Sequence, residues 1–401
     1  MNIWVINQFA GTNTSGWGER HFYLSAYWVK AGHRVSILSG AYNHVFTRLP
    51  EAPHQYNYED IEGRRFCWIR TPKYHAKSIL RFWSFFVFSI KVLFASPEKL
   101  GRPDVILVSS MPIFPILSGY LLKKRFNAKR LIFEVRDIWP LTLTTIGGVS
   151  PKHPAVKLIG WFERFGYRHA DHIVSVLPRM HLHVKQIMNR EYPVHYIPNG
   201  LAHEVLHDEK LPDYIAAQIP SGKFIVGYVG AIGLANALEP FLKATTLLAG
   251  NEHIHFVIVG DGYDKEYLRS IAQGNSNVTF ISKIKKDLVQ DMLRRFDVCY
   301  IGWHNSELYR FGISANKNFD YMLAAKPVLD ANNHIDDPIE LSGGGILVEP
   351  GSPEAIRDGV LQLYRMSAEE RALMGQKGKE FLEKYHSIPY LSEKYMGLFS
   401  T

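Results

Sequence analysis

The sequence predicts an α/β chain of two Rossmann-like doubly wound halves, and three observations lead there. Short apolar runs rich in Val and Ile alternate with helical patterns from end to end, as parallel strands joined by crossover helices do. The alternation halts once, over the polar stretch Leu201 to Gly222, then restarts with a new strand, glycine turn and helix. At 401 residues the chain is too long for one ordinary domain. Two such halves leave a cleft suited to a pair of substrates.

In order, Ile3 to Asn7 is a buried opening strand, without the basic and long apolar regions of a signal peptide. Gly11, Gly16 and Gly18 follow, then a helix over Glu19 to Ala31. Glycines at that place let backbone N–H groups approach an anion, though a turn with no ligand reads the same. The spacing is not the dinucleotide fingerprint, and no acidic residue closes the next strand, Arg34 to Leu38, which excludes a Rossmann dehydrogenase. Tyr42 to Tyr74 is irregular and holds a strand at Arg65 to Arg70; it suits a mobile acceptor loop or a decorated surface.

Ile79 to Ala95 is the most apolar stretch, yet its uncharged run Phe82 to Ile90 falls far short of the ~20 residues that cross a bilayer. With Lys77, Arg81, Lys91 and Lys99 nearby, it fits a helix lying in a membrane interface; a helix packed in the domain core is the alternative. Asp104 to Ser109 and Arg130 to Val135 are strands, the second ending in Arg136-Asp137. Ligands gather beyond the carboxyl ends of strands in open α/β sheets, so these two are site candidates, with a plain strand-end salt bridge as rival. Helices at Ala155 to Ala170 and Arg179 to Arg190 flank the strand Asp171 to Val176, and Val194 to Ile197 closes the first half before Pro198-Asn199-Gly200.

The second half runs through strands at Phe224 to Val229, His255 to Val259, Val278 to Ile281, Val298 to Ile301, Val328 to Ala331 and Ile346 to Val348. Helices include Lys286 to Phe296, Pro353 to Arg365 and Ala368 to Tyr385. The stretch Arg310 to Leu329 reads as a loop, a short helix and a strand. Ser314 and Asn316 are N-cap types, and Lys317 and Asp320 fall one turn apart. A helix N-terminus beside a lysine suits a phosphate, and a carboxylate one turn on accepts from sugar hydroxyls. A capped surface helix with a solvated ion pair would look alike.

Lys plus Arg exceed Asp plus Glu by 46 − 38 = 8, and the pI near 9.2 favours polyanionic partners. No Lys/Arg run resembles a nucleic-acid-binding tail. Cys67 and Cys299 each lie in an apolar or aromatic setting, and two buried thiols are expected.

The stretches SGWGERH, FEVRDIWP, HADHIVSVLP, YIPNG, GYVGAIG, FVIVGDG, NVTFISKI and NKNFDYMLAAKPVL, in that order, resemble a GT-B glycosyltransferase of the retaining family four type. They are most similar to the branch that builds bacterial O-antigens and capsules, fucosamine transferases among them. The resemblance implies an acceptor domain over 1–200, a nucleotide-sugar domain over 201–387 and a last helix over 388–401 returning to the first. It implies a hexosyltransferase that takes its sugar from a UDP-sugar, an N-acetylated amino or deoxyamino hexose, with a polyprenyl-diphosphate-linked saccharide as acceptor. Asp320 matches the carboxylate on the ribose hydroxyls and Lys317 a lysine near the diphosphate. Gly16 and Gly18 would lie under the diphosphate, Ile281 to Ile284 against the base, and Arg136 with Asp137 near the reaction centre as catalytic residues. Gly230, Ser314 and Asn316 complete the expected donor set.

The family hallmark pairs two glutamates; here Gly312 stands eight positions before Asp320, and the usual Arg and Lys after GYVG are absent, so Arg310, Lys317 and Lys283 are expected to supply the charge. No Asp-x-Asp motif occurs, so no metal and no cofactor is expected. The place of work is the cytoplasmic face of the inner membrane, held peripherally through Ile79 to Ala95. A nucleotide-sugar 2-epimerase, a non-catalytic donor-binding protein and a soluble small-glycoside transferase are the rival readings.

Overall fold

The computed structural model describes residues 1–75, 78, 80–110, 112–201, 209–233, 236–334 and 336–400. Lys77, Ile79, residues 202–208 of the expected linker and Leu234-Ala235 of the glycine turn lie outside them. The chain divides into two compact units, Met1–Asn199 together with the segment from Ile388, and Gly200–Ser387.

The first unit is built on β1 (Asn2–Ile6), β2 (Arg34–Gly40), β3 (Tyr56–Ile61), β4 (Arg64–Ile69), β5 (Val105–Ser109), β6 (Arg130–Val135), β7 (His172–Ser175) and β8 (Val194–Tyr196). Their order is β3-β4-β2-β1-β5-β6-β7-β8. β1, β5 and β6 are buried almost throughout, which is why they read as unbroken apolar runs. One strand pair corrects the all-parallel expectation: β3 and β4 form an antiparallel hairpin. Its turn is Glu62-Gly63, both at positive φ, the backbone of a two-residue hairpin turn. The Arg20–Lys30 helix and the final Ile388–Ser400 helix pack together, with Trp28 against Tyr395 and Phe399. The Leu80–Val92, Pro115–Phe126 and Pro154–His169 helices lie side by side.

The second unit holds β9 (Phe224–Val229), β10 (Ile254–Val259), β11 (Val278–Ile281), β12 (Val298–Gly302), β13 (Val328–Ala331) and β14 (Gly345–Val348), in the order β11-β10-β9-β12-β13-β14 and all parallel. Two expectations change here. The described part of the linker belongs to this unit: Leu211 and Ile215 are buried in its core, and the Leu211 N–H donates to Asp291. The single helix expected over Lys286 to Phe296 is a 3-10 turn, Lys286–Leu288, followed by the helix Val289–Arg294. Cys67 and Cys299 are both buried thiols.

Each sheet reverses direction once. In the first the chain leaves β1 toward β2 and later enters β5 on the other side; in the second the same happens at β9 and β12. The carboxyl ends of those strand pairs are the topological switch points, where doubly wound sheets leave room for ligands.

Candidate functional site

At the switch point of the second unit stands the Asn316–Leu323 helix. Asn318, Phe319, Tyr321 and Met322 bury one face of it, which leaves Lys317 and Asp320 half-buried at the border. Tyr321 fixes the helix to the sheet: its hydroxyl accepts from the Val229 N–H at 3.1 Å and donates to the Val229 carbonyl at 3.2 Å. The cap differs from the expected one. Ala315 is the N-cap residue and, having no polar side chain, makes no cap hydrogen bond; neither Ser314 nor Asn316 holds the N-cap position. Ser314 is half-buried and Asn316 exposed.

The Lys317 ammonium donates to Asn236 Oδ1 and, at 3.4 Å, to the Tyr228 hydroxyl, and it lies 5.4 Å from the centre of the Tyr228 ring. Among the described residues no carboxylate lies within ion-pair distance of it. Burial lowers its pKa to about 8, against a partial pull upward from Asp320. Asp320 is the reverse case. Burial raises its carboxyl to about 6, with Lys286 and Lys317 only partly opposing. Among the described residues its side chain accepts no hydrogen bond; its backbone carbonyl accepts from Gln290 and from the Ala324 N–H. Both groups are therefore pushed toward their neutral forms for want of a full partner.

Gly230 closes β9 beside them. A Cβ there would come within 2.9 Å of both Lys317 Cδ and the Tyr228 hydroxyl, so glycine is what admits the lysine. The turn after β10 is stitched to the one after β9: a Cβ on Gly260 would stand 1.9 Å from the Gly230 carbonyl oxygen. Asp261, between Gly260 and Gly262, bonds Lys265 and accepts from the Lys283 N–H at 2.9 Å. Lys283 is anchored by backbone, with its side chain exposed. Arg310 sits on the exposed 3-10 turn Glu307–Phe311 and donates to Glu307 at 3.1 Å. The structure thus gathers Gly230, Lys317 and Asp320. Tyr228 and Asn236 join them from outside the sequence reading, and Tyr321, at helical spacing from Lys317, fixes the helix in place.

The first unit keeps a different arrangement. Gly16 and Gly18 both have positive φ, and a Cβ on Gly18 would meet the Phe9 carbonyl oxygen at 1.9 Å. The Gly11 N–H donates to the Gly18 carbonyl at 3.0 Å, so this loop needs its glycines to close on itself. Arg136 and Asp137 are half-buried past the end of β6, and among the described residues neither forms an ion pair within 4 Å. The Arg136 N–H donates to Ser110 Oγ at 3.1 Å. Burial raises the Asp137 pKa, and Arg136 offsets part of that rise.

Beneath them lies a buried charge cluster. The fully buried Glu134 of β6 accepts from Arg20 Nε at 2.9 Å and from the Tyr395 hydroxyl at 2.5 Å, and His21 Nε2 stands 2.9 Å from its second oxygen. Burial alone would raise this carboxyl, but His21 and Arg20 hold it well below the usual carboxylate range. Arg20 also donates to the carbonyls of Ile197 and Pro198. A glutamate inside an apolar strand was the available signal, since a buried charge needs a partner.

Two Rossmann-like units, each with its loops crowded at a strand-order reversal, define the GT-B class of fold. Two family models match, one for a glycosyl transferase 4-like domain over residues 15–200 and one for glycosyl transferases group 1 over residues 223–366. The chain belongs to the glycosyltransferases of this type and is an enzyme of that class. It is 22% identical to the probable glycosyltransferase WbjE of Pseudomonas aeruginosa, with 98% of each chain covered. Its fold is similar to that of sucrose-phosphate synthase from Thermosynechococcus elongatus, with a TM-score of 0.74, 16% identity, and 99% and 98% of the two chains covered. It is also similar to Anabaena HepE, solved with UDP and glucose, with a TM-score of 0.65, 12% identity and 99% of both chains covered.

Proposed function

We propose that this enzyme moves an N-acetylated amino or deoxyamino hexose from a UDP-sugar to a polyprenyl-diphosphate-linked saccharide in the assembly of a bacterial surface polysaccharide. The observation that carries the donor half is the pair Lys317 and Asp320, half-buried at a switch point and short of partners. Asp320 accepts the ribose hydroxyls, and Lys317 with the helix N-terminus meets the diphosphate. Gly230 lets the phosphates approach; Ser314 and Asn316 border the sugar; Lys283 and Arg310 add positive charge at the rim. HepE, of the same fold, was solved with UDP and glucose, which supports a uridine nucleotide here.

In the reaction the bond from the anomeric carbon to the diphosphate oxygen breaks, and the oxygen keeps the electron pair. The acceptor hydroxyl attacks from the same face, giving retention, and its proton passes to the departing phosphate oxygen. Cations preset on the leaving group lower the barrier. Lys317 and the helix terminus serve that end here, so activity is expected to survive EDTA. Gly16, Gly18, Arg136 and Asp137 serve the first unit's side of the reaction, the last two beside the acceptor hydroxyl.

The acceptor half rests on the Leu80–Val92 helix. Phe85 and Phe88 face the core, whereas Leu80, Phe82, Trp83, Phe86 and Ile90 are exposed. Leu121, Leu158 and Trp161 on the neighbouring helices are exposed too. Among the described residues no helix is long and apolar enough to cross a membrane. Exposed apolar surface across three adjacent helices of a basic protein suits a bilayer interface, here the cytoplasmic face of the inner membrane.

The deciding measurement is calorimetric titration of UDP into the wild type and Lys317→Ala, followed by transfer from a panel of UDP-sugars to lipid-linked acceptors. Weaker binding by the variant is expected. Unchanged affinity, or donor isomerisation without transfer, overturns the reading.

A further inference from the structure

The loop beyond the carboxyl end of β1 is tied down on both flanks. The Gly11 N–H donates to the Gly18 carbonyl at 3.0 Å, the Thr12 N–H to Ser15 Oγ at 3.0 Å, and the Thr47 N–H to the Ser15 carbonyl at 2.9 Å. Gly16 and Gly18 hold φ values of +72° and +78°, which suit glycine alone. Between them stands Trp17, with 53% of its surface exposed. The comparably exposed Trp83 and Trp161 belong to helices of the apolar surface described above. Trp17 instead stands on a strand-end loop at the first unit's switch point, where ligands gather. An indole left half in water adds little to the fold. Held on an ordered loop, it also has little freedom to lose when a ligand covers it.

The chemistry of the loop selects the ligand. Its other exposed side chains, Asn13 and Thr14, are an amide and a hydroxyl. Residues 11–19 include no lysine or arginine, and the next residue, Arg20, is buried against Glu134. A phosphate or a phospholipid head therefore finds no counter-charge on this loop. A neutral ring rimmed by hydroxyls finds an apolar face and polar partners together. A pyranose is such a ring, with C–H groups on its faces and hydroxyls at its edge, and the glycines beside Trp17 carry no side chain to keep it off the indole. A nucleobase would stack as well, but the groups assigned to the nucleotide, Asp320 and Lys317, stand in the second unit. We infer that Trp17 is a sugar subsite: its indole stacks on the acceptor's pyranose and so sets which saccharides the enzyme extends. The inference rests on the transfer to a saccharide proposed above and assigns that saccharide a place.

The test titrates the methyl pyranosides of glucose, galactose, N-acetylglucosamine and N-acetylgalactosamine into the whole protein with UDP present, read by saturation-transfer NMR. The wild type should bind at least one of them, with the protons of one ring face saturated most. Trp17→Ala should weaken that sugar by about tenfold and Trp17→Phe, which keeps a ring, by about threefold or less. Both variants should bind UDP and sediment with phosphatidylglycerol vesicles as the wild type does. Wild-type sugar binding by Trp17→Ala overturns the inference. So does equal weakening in Trp17→Ala and Trp17→Phe, or a loss that falls on UDP or on the vesicles instead of the sugar. A wild type that binds none of the pyranosides overturns it too, whether or not the variants fold. Transfer by Trp17→Ala with an unchanged KM for a lipid-linked acceptor would sink the subsite and leave the proposed reaction standing. Sugar binding lost in Trp17→Ala, in an enzyme that binds no UDP, would do the opposite.

Discussion

The two units both bury charge beside a switch point, and they treat it in opposite ways. In the first, Glu134 has no exposure, yet Arg20, His21 and Tyr395 surround it and keep it ionised. In the second, Lys317 and Asp320 are held off from full pairing, and each drifts toward its neutral form. A buried charge that the protein answers completely holds the structure together. One that it answers in part stays ready for a ligand to complete it. The Glu134 cluster joins the start of the Arg20–Lys30 helix, the end of β8 and the final helix, so its work is architectural.

Breaking the cluster should have the largest effect. Glu134→Ala strands the buried Arg20 without a counter-charge and takes away a partner of His21, and a loss of about 3–5 kcal/mol is expected in chemical denaturation of the whole chain. Removing the corresponding charge in the second unit should do something different. Asp320→Asn is expected to weaken UDP by about tenfold to a hundredfold, read by calorimetry, with little change in unfolding. Lys317→Met sharpens the contrast. UDP binding should fall by about tenfold, while the unliganded protein keeps its stability or gains up to about 1 kcal/mol, because a poorly paired buried ammonium is replaced by a hydrocarbon. A stability loss as large as that of Glu134→Ala would erase the distinction.

The pH dependence gives a smaller signal with a definite sign. Asp320 titrates at about 6 in the fold against 3.8 ordinarily. Between those values the folded form binds more protons than the unfolded one, so this group's contribution to unliganded stability falls as pH rises from about 4 to about 6. Ribose hydroxyls favour the ionised carboxylate, so UDP affinity should drop as pH falls below about 6, by at most about tenfold per unit. Titrations at several pH values in the wild type and Asp320→Asn check this, since the variant should lose that part of the slope. The smallest effect belongs to Arg310, paired with Glu307 on an exposed turn; Arg310→Ala should change stability by less than about 1 kcal/mol.

How much of this was legible beforehand follows from range. Strands such as β5 and β9 and helices such as Pro353–Arg365 and Ala368–Tyr385 announce themselves through apolar runs, 3.6-residue periodicity and caps, all local signals. The β3–β4 hairpin went unread because its turn signal, Glu62-Gly63, sits in a segment without clear periodicity. The expected caps at Ser314 and Asn316 gave way because tertiary packing of Phe319, Tyr321 and Met322 sets where that helix begins. The Leu80–Val92 stretch allowed two readings, a helix in a membrane interface or one packed in the domain core; one face is packed in the core, and the other carries exposed apolar side chains.

Composition and local pattern were enough to establish two doubly wound halves and to single out Lys317 and Asp320 as a pair one turn apart. They could not say that Tyr228 and Asn236 would receive the lysine, or that Tyr395 would reach Glu134 across 261 positions of sequence. Periodicity is a property of neighbours along the chain. The partner of a buried charge is chosen by how strands and helices stack in space, so the fate of each charge emerged only once the sheets were assembled.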